Sequence, residues 1–157
     1  MTETESTELT TVRDILRGKL ETLTSSSTAL QAAKKLIHSN SSSLLVVDAS
    51  GNHTGIITER DLVRNVCAFH KRSGQTIVRD IMSSPIITVN LNTSLKDAAN
   101  QMIQNKVRHL LVLDGAIARG VISADDFASY LKQNIDLDQI NTAIIESLLN
   151  IGDAGAQ

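Results

Sequence analysis

Short apolar-rich runs and longer apolar stripes alternate along this chain, and their spacing predicts its secondary structure. Short runs bounded by polar turns predict β-strands. The predicted strands lie at residues 20–23, 44–47, 54–57, 86–89, 110–113 and 117–122. The turns Asp48-Ala-Ser-Gly-Asn and Asp114-Gly each join two of these strands, and both sequences are typical of β-hairpins.

Between these strands, apolar residues recur every three to four positions, which predicts amphipathic helices. The two clearest stripes are Leu30, Ala33, Leu36 and Ile37 in the first half of the chain and Leu95, Ala98, Ala99, Met102 and Ile103 in the second half. Thr28 and Ser94 precede them as capping residues, each with a suitable partner three positions later. Two further helices are predicted over 59–69 and 124–132.

The chain repeats itself at an offset of 66 residues, from Val12 to Val78. The segment Val-Arg-Asp-Ile opens both copies, and each copy continues in the order β-α-β-β-α. Such a unit is marginal alone, so we expect an α/β (α+β) fold in which two pseudo-symmetric units pack sheet to sheet. The predicted segments are a flexible head 1–11, unit one 12–69, a polar linker 70–77, unit two 78–133, and a tail 134–157.

The tail carries an apolar stripe that lies outside the repeat. A C-terminal amphipathic helix is predicted over 136–150, and its stripe consists of Leu137, Ile140, Ile144, Leu148 and Leu149. Such a stripe must cover its own domain or bind a partner, most simply a second copy of the chain.

Composition narrows the function classes. The 157 residues carry a net charge of −2, one cysteine and only 2% aromatic residues. One cysteine excludes a disulfide framework within the chain. The charge argues against a dedicated nucleic-acid binder, and only His70-Lys71-Arg72 forms a local basic cluster. The polar head has no signal peptide and no run is long enough for a membrane span, so we expect a cytoplasmic protein.

Motifs for catalysis and metal binding are missing from the sequence. It contains neither a phosphate-binding P-loop nor a nucleophile elbow. Cys67 and His70 share a helix face but are two ligands short of a closed zinc site. We therefore expect no enzyme, no metal site and no required cofactor.

The ordered repeat resembles a pair of CBS domains, also called a Bateman module. The resemblance covers about residues 12–133. It rests on two features of each copy. One is the strand Leu-Leu-Val-Val-Asp at 44–48 and its counterpart at 110–114, and the other is the junction Gly-h-h-[Ser/Thr]-x-x-Asp, in which h is aliphatic. It implies a non-catalytic sensor that binds AMP, ADP, ATP or S-adenosylmethionine between the units. The sensor would form a homodimer and signal to an effector protein. The alternative is a structural homodimerisation module with vestigial clefts.

Two strand-to-helix junctions are the main candidate site. In each of Thr58-Glu-Arg-Asp61 and Ser123-Ala-Asp-Asp126, the hydroxyl and the acid three residues later fit a helix-capping pattern. A helix N-terminus also attracts anions. The resemblance implies that Thr58 and Ser123 bind phosphate and that Asp61 and Asp126 bind ribose.

Further ligand contacts are expected at the strand entrances. The resemblance implies that Arg108 and His109 bind phosphate, and the alternative is that both are solvated residues at a strand end. Unit one has Ser42 and Ser43 there and Arg60 nearby as a substitute. We therefore expect tighter binding where Ser123, Asp126 and Arg108 meet. The resemblance places the adenine pocket among Leu16, Glu21, Ser41, Met82, Ile87 and Val107.

Overall fold

Each half of the chain folds into a three-stranded sheet with two main helices, as the repeat predicts. This computed structural model describes residues 10–134, so the head before residue 10 and the predicted helix over 136–150 lie outside the described residues. Unit one contains α1 Val12–Ile15, β1 Thr22–Thr24, α2 Ala29–Ser39, β2 Ser43–Val47, β3 His53–Thr58 and α3 Glu59–Asn65. Unit two contains β4 Thr88–Asn90, α4 Leu95–Asn105, β5 His109–Asp114, β6 Ile117–Ser123 and α5 Ala124–Asn134.

The two sheets share one topology. In each, the first strand runs parallel to the middle strand, which runs antiparallel to the last strand. The hairpins even share an irregularity, because the register shifts between Val46 and Val47 in one and between Val112 and Leu113 in the other. The predicted α/β fold class is confirmed.

The predicted helix caps are present. The Thr28 hydroxyl accepts from the Gln31 amide, and the Gln31 side chain accepts in return from the Thr28 amide. Ser94 caps α4 by accepting from the Asp97 amide at 3.1 Å. The helix predicted over 59–69 is shorter, since α3 ends at Asn65 and a 3-10 turn covers Cys67–Phe69.

The apolar stripe predicted for α2 is confirmed at Leu36 and wrong at Leu30 and Ile37. Ala29, Ala32 and Leu36 are buried, whereas Leu30 is 40% exposed and Ile37 is 79% exposed. The two alanines follow the same helical spacing as the larger residues, so periodicity alone does not decide between these faces. In α4, Ile103 is likewise 73% exposed although Ala98 and Met102 are buried.

The two Val-Arg-Asp-Ile segments are exchanged between the units. Val12 and Ile15 belong to the core of unit two, and the Val12 amide donates to the Thr93 carbonyl at 2.9 Å. In the same way, Val78 and Ile81 are buried in the core of unit one. The repeat predicts each segment as the opening element of its own unit, and the structure corrects this. The exchange couples the folding of the two units.

Two glycines leave room for the residues that directly follow the two exchanged Val-Arg-Asp-Ile segments. A Cβ atom added at Gly55 would lie 2.7 Å from the Ser83 carbonyl oxygen. At Gly120 it would lie 2.7 Å from Cδ1 of Leu16. Any side chain would collide at these distances, which explains the glycine that begins each junction motif.

Candidate functional site

Two clefts lie between the units, and each takes residues from both. The Asp126 cleft has a volume of about 280 Å³ and is lined by residues 17–21 and 39–43 of unit one and by Gly120, Val121, Ser123 and Asp126 of unit two. The Asp61 cleft has a volume of about 490 Å³ and is lined by Ser42, Ile56, 58–61 and Arg64 of unit one and by Ser83, 85–87, 106–109 and Asp125 of unit two. The clefts adjoin, because Ser42 lines both.

The Asp126 cleft contains the strand-to-helix junction of unit two. Oδ2 of Asp126 accepts from the Ser123 amide at 2.7 Å and from the Ser123 hydroxyl at 2.8 Å. The same hydroxyl accepts from the Asp126 amide at 3.3 Å, so the pair caps α5. Oδ1 of Asp126 accepts no hydrogen bond from any residue between 10 and 134. One carboxylate oxygen therefore remains open to a ligand.

The Asp61 cleft has the equivalent junction with one difference. Oδ2 of Asp61 accepts from the Thr58 amide at 2.9 Å and from the Thr58 hydroxyl at 2.8 Å. Oδ1 accepts from the hydroxyl of Ser83, which comes from the neighbouring unit, at 2.9 Å. A ligand that uses this oxygen must replace the exposed Ser83 hydroxyl.

The capping interpretation of both junctions is therefore confirmed. Thr58 and Ser123 are the two buried polar residues among those that the structure describes. Their hydroxyls need these internal partners, because a buried polar group without a hydrogen bond is costly. Capping leaves the ligand role open as a prediction, since it uses one oxygen of each carboxylate.

Arg108 and His109 line the Asp61 cleft, which corrects the grouping of Arg108 with Ser123 and Asp126. Each cleft combines the junction of one unit with the strand entrance of the other. The entrance at 106–109 therefore faces the junction of Thr58 and Asp61, and its counterpart at 41–43 faces the junction of Ser123 and Asp126. Arg60 lines the Asp61 cleft as well.

Arg108 and His109 are neighbours in the Asp61 cleft and differ in their surroundings. The Arg108 guanidinium lies 3.5 Å from the Asp125 carboxylate, and both side chains are mostly exposed. Burial lowers the pKa of His109, and the positive charge of Arg108 lowers it further. The opposing effects of Asp61, Asp126 and Asp125 are smaller, so the imidazole is neutral at neutral pH. It therefore offers one donor and one acceptor.

Of the six residues predicted around the adenine, four line the clefts, two in each. Glu21 and Ser41 line the Asp126 cleft, and Ile87 and Val107 line the Asp61 cleft. The other two are not among the lining residues. Leu16 packs behind Gly120 and Met82 packs behind Gly55, each at the back of a junction.

The sequence patterns did not predict several residues that line the clefts. They are Arg17 and Lys19 in the Asp126 cleft and Arg64, Ser83 and Lys106 in the Asp61 cleft. Arg64 follows Arg60 by one helical turn, which is a local signal. Arg17, Lys19 and Ser83 reach the clefts because the segments at 12–21 and 78–87 cross to the neighbouring unit. Lys106 lies at the start of the strand entrance at 106–109.

Residues 10–134 contain neither a group of metal-binding side chains nor a membrane-spanning helix. No three His, Cys, Asp or Glu side chains in this region form a group that could hold a metal ion. No helix of this region has the length and apolar character needed to cross a membrane.

Known proteins share both the sequence pattern and the fold. The CBS domain family matches residues 12–68 and 78–133. The CBS domain-containing protein YhcV of Bacillus subtilis is 30% identical over 120 residues, covering 76% of this chain and 84% of that protein. An uncharacterized protein of Methanopyrus kandleri is 34% identical over 103 residues, which cover 66% of this chain and only 53% of that protein.

A solved structure agrees with these sequence matches. It is described as a putative signal-transduction protein with CBS domains from Burkholderia ambifaria. It superimposes with a TM-score of 0.73 at 32% identity, covering 81% of this chain and 97% of that chain. This chain belongs to the CBS-domain family and contains two CBS domains in tandem.

Proposed function

We propose that this chain is a regulatory module that binds an adenosine-containing ligand, such as AMP, ADP, ATP or S-adenosylmethionine, between its two CBS domains. Proteins with paired CBS domains generally serve regulatory or sensor roles. One observation carries the proposal. Each cleft joins a capped helix N-terminus of one unit to a strand entrance of the other. A ligand there would contact both units at once.

The open oxygen of Asp126 suits a ribose. A carboxylate accepts hydrogen bonds from hydroxyl groups, and charge-assisted bonds of this kind are among the stronger ones. A phosphate on the same ligand would lie near the N-terminus of α5, where the helix dipole favours negative charge. In the Asp61 cleft, Asp61 would bind the ribose and Arg60 would bind the phosphate.

Aliphatic side chains would hold the adenine. Ile86, Ile87 and Val107 line the Asp61 cleft, and none of the chain's three aromatic residues lines either cleft. Dispersion contacts from aliphatic side chains are individually weak but add up over the two faces of a flat ring. Backbone amides and carbonyls of the extended segments at 85–87 and 106–108 would recognise its polar edge.

Regulation would follow from the contacts to both units. A ligand shifts an equilibrium only by its difference in affinity between two arrangements. Closing a cleft moves the units relative to each other, and the exchanged segments transmit that movement to both cores. An effector protein would sense the new arrangement, and the chain itself would carry no catalytic step.

Self-association is part of the proposal. Ile37, Ile103 and Phe69 are at least two-thirds exposed and line neither cleft. A second copy of the chain would bury such side chains. Sedimentation should therefore give twice the 16.9 kDa mass of one chain. A monomer at all protein concentrations would remove this part of the proposal.

Calorimetric titration with the four ligands tests the binding role. We expect at least one ligand to bind, and Asp126→Asn to weaken binding in its cleft by about tenfold or more, because a charged acceptor is lost. Asp97→Asn is the matched control, since Asp97 has the same helix position in α4 and lines neither cleft. If none of the four ligands binds, the structural homodimerisation role replaces the sensor role.

A further inference from the structure

The two clefts differ in charge, although they are formed by repeated units. Four cationic side chains line the Asp61 cleft, namely Arg60, Arg64, Lys106 and Arg108. Three acidic side chains, Glu59, Asp61 and Asp125, accompany them. The Asp126 cleft has two cationic residues, Arg17 and Lys19, and two acidic residues, Glu21 and Asp126. The Asp61 cleft therefore has the excess of positive charge, and it is also the larger cleft.

The cations of the Asp61 cleft are available to a ligand. Within the part of the chain that the structure describes, Arg60, Arg64 and Lys106 form no ion pair. The fourth, Arg108, lies 3.5 Å from Asp125, and 59% of its side chain is exposed. An exposed pair of this kind contributes little energy, so an anionic ligand can compete for the guanidinium.

The charges of the Asp126 cleft are more nearly matched. Arg17 donates to the Gln133 side chain at 3.0 Å, so one of its donors is already used. Glu21 has a cationic neighbour, Lys35, at 3.8 Å. Lys19 alone is a cation without a polar side-chain partner among the described residues. This cleft can therefore neutralise less negative charge.

We propose that the clefts select ligands by phosphate number, an inference that rests on the proposed function. The Asp61 cleft would take an adenosine di- or triphosphate, and the Asp126 cleft would take a ligand with one phosphate or none. Each added phosphate brings negative charge and acceptor oxygens, which guanidinium and ammonium groups bind through charge-assisted hydrogen bonds. The larger volume suits the longer ligand. The module would then respond to two ligands together.

Calorimetry with ATP and with AMP tests this division. The double variant Arg64→Gln/Lys106→Gln removes two cations from the Asp61 cleft and leaves its capped junction intact. We expect its affinity for ATP to fall at least about tenfold while its affinity for AMP stays within about twofold. The control Lys34→Gln/Lys96→Gln removes two exposed cations that line neither cleft and should change neither affinity.

A competition titration completes the test. With AMP at saturation, ATP should still bind at one site per chain. The division is overturned if the double variant loses AMP and ATP affinity equally, or if AMP blocks all ATP binding. In those cases the proposed function stands, because both nucleotides still bind the wild-type chain. If neither nucleotide nor any other adenosine ligand binds, the proposed function fails as well.

Discussion

Single residues of the junctions serve both the fold and the clefts. Ser123 and Thr58 are buried because their hydroxyls each donate to a carboxylate and accept from an amide of the following helix. The local spacing of hydroxyl and acid was enough to predict these caps. The partner of each junction across the cleft was not predictable in this way, because Arg108 and Asp61 line the same cleft only through the packing of the two units.

His109 makes a contribution to the stability of the fold that depends on pH. Burial and Arg108 lower its pKa in the folded chain below the ordinary value of 6.5, against the smaller effects of Asp61, Asp125 and Asp126. The unfolded chain therefore binds more protons just below pH 6.5. Stability falls as the pH drops through this window, and the loss ends below the folded-state pKa.

Urea unfolding at pH 7.5 and pH 5.5 measures this contribution. We expect the free energy of unfolding to fall less between these pH values in His109→Gln than in the wild type. His53→Gln is the control, because His53 is exposed and should leave the difference unchanged. An equal pH dependence in His109→Gln and the wild type would contradict the account of His109.

At the scale of elements, the exchange of the Val-Arg-Asp-Ile segments is the feature that the sequence could not reveal. A repeat has the same order whether each opening segment packs on its own unit or on the other one. The strands and most helices were predictable, because their apolar spacing is local. The buried face of α2 was not, because Ala29 and Ala32 compete with Leu30 and Ile37 at the same helical spacing.

Ile15→Ala tests the exchange. Ile15 is 1% exposed in the core of unit two, so the variant should lose about 2–5 kcal/mol of stability. Hydrogen exchange should accelerate more in β5 of unit two than in β2 of unit one. Ile37→Ala is the control, because Ile37 is exposed and should change stability by less than about 0.5 kcal/mol. A larger acceleration in β2 would show that the segment packs on its own unit.

The two junction glycines predict an order of destabilisation. A Cβ atom at Gly55 would meet the backbone oxygen of Ser83, whereas one at Gly120 would meet the movable end of the Leu16 side chain. Gly55→Ala should therefore lower the melting temperature more than Gly120→Ala. Gly74→Ala should be nearly neutral, because no atom lies within 4 Å of its added Cβ. The reverse order of the first two variants would argue against the close approach at Ser83.

At the scale of the whole molecule, the exchange and the shared clefts connect the two units into one folded body. Ser42 lines both clefts, and Asp61 and Asp126 both raise the pKa of His109 against the larger effect of burial. Under the proposed function, a ligand in one cleft would therefore contact a residue that also borders the other. The internal repeat predicted two related sites, whereas their unequal charge depends on residues that only the assembled units bring together.

We propose above all that the clefts bind an adenosine ligand through their junction carboxylates. The most direct test is calorimetric titration of the wild type, of Asp61→Asn/Asp126→Asn, and of the control Asp80→Asn/Asp97→Asn, whose residues line neither cleft. We expect the wild type and the control to bind equally and the first double variant to lose binding by about a hundredfold or more. Unchanged affinity in the first double variant, or no binding to the wild type, would contradict the claim.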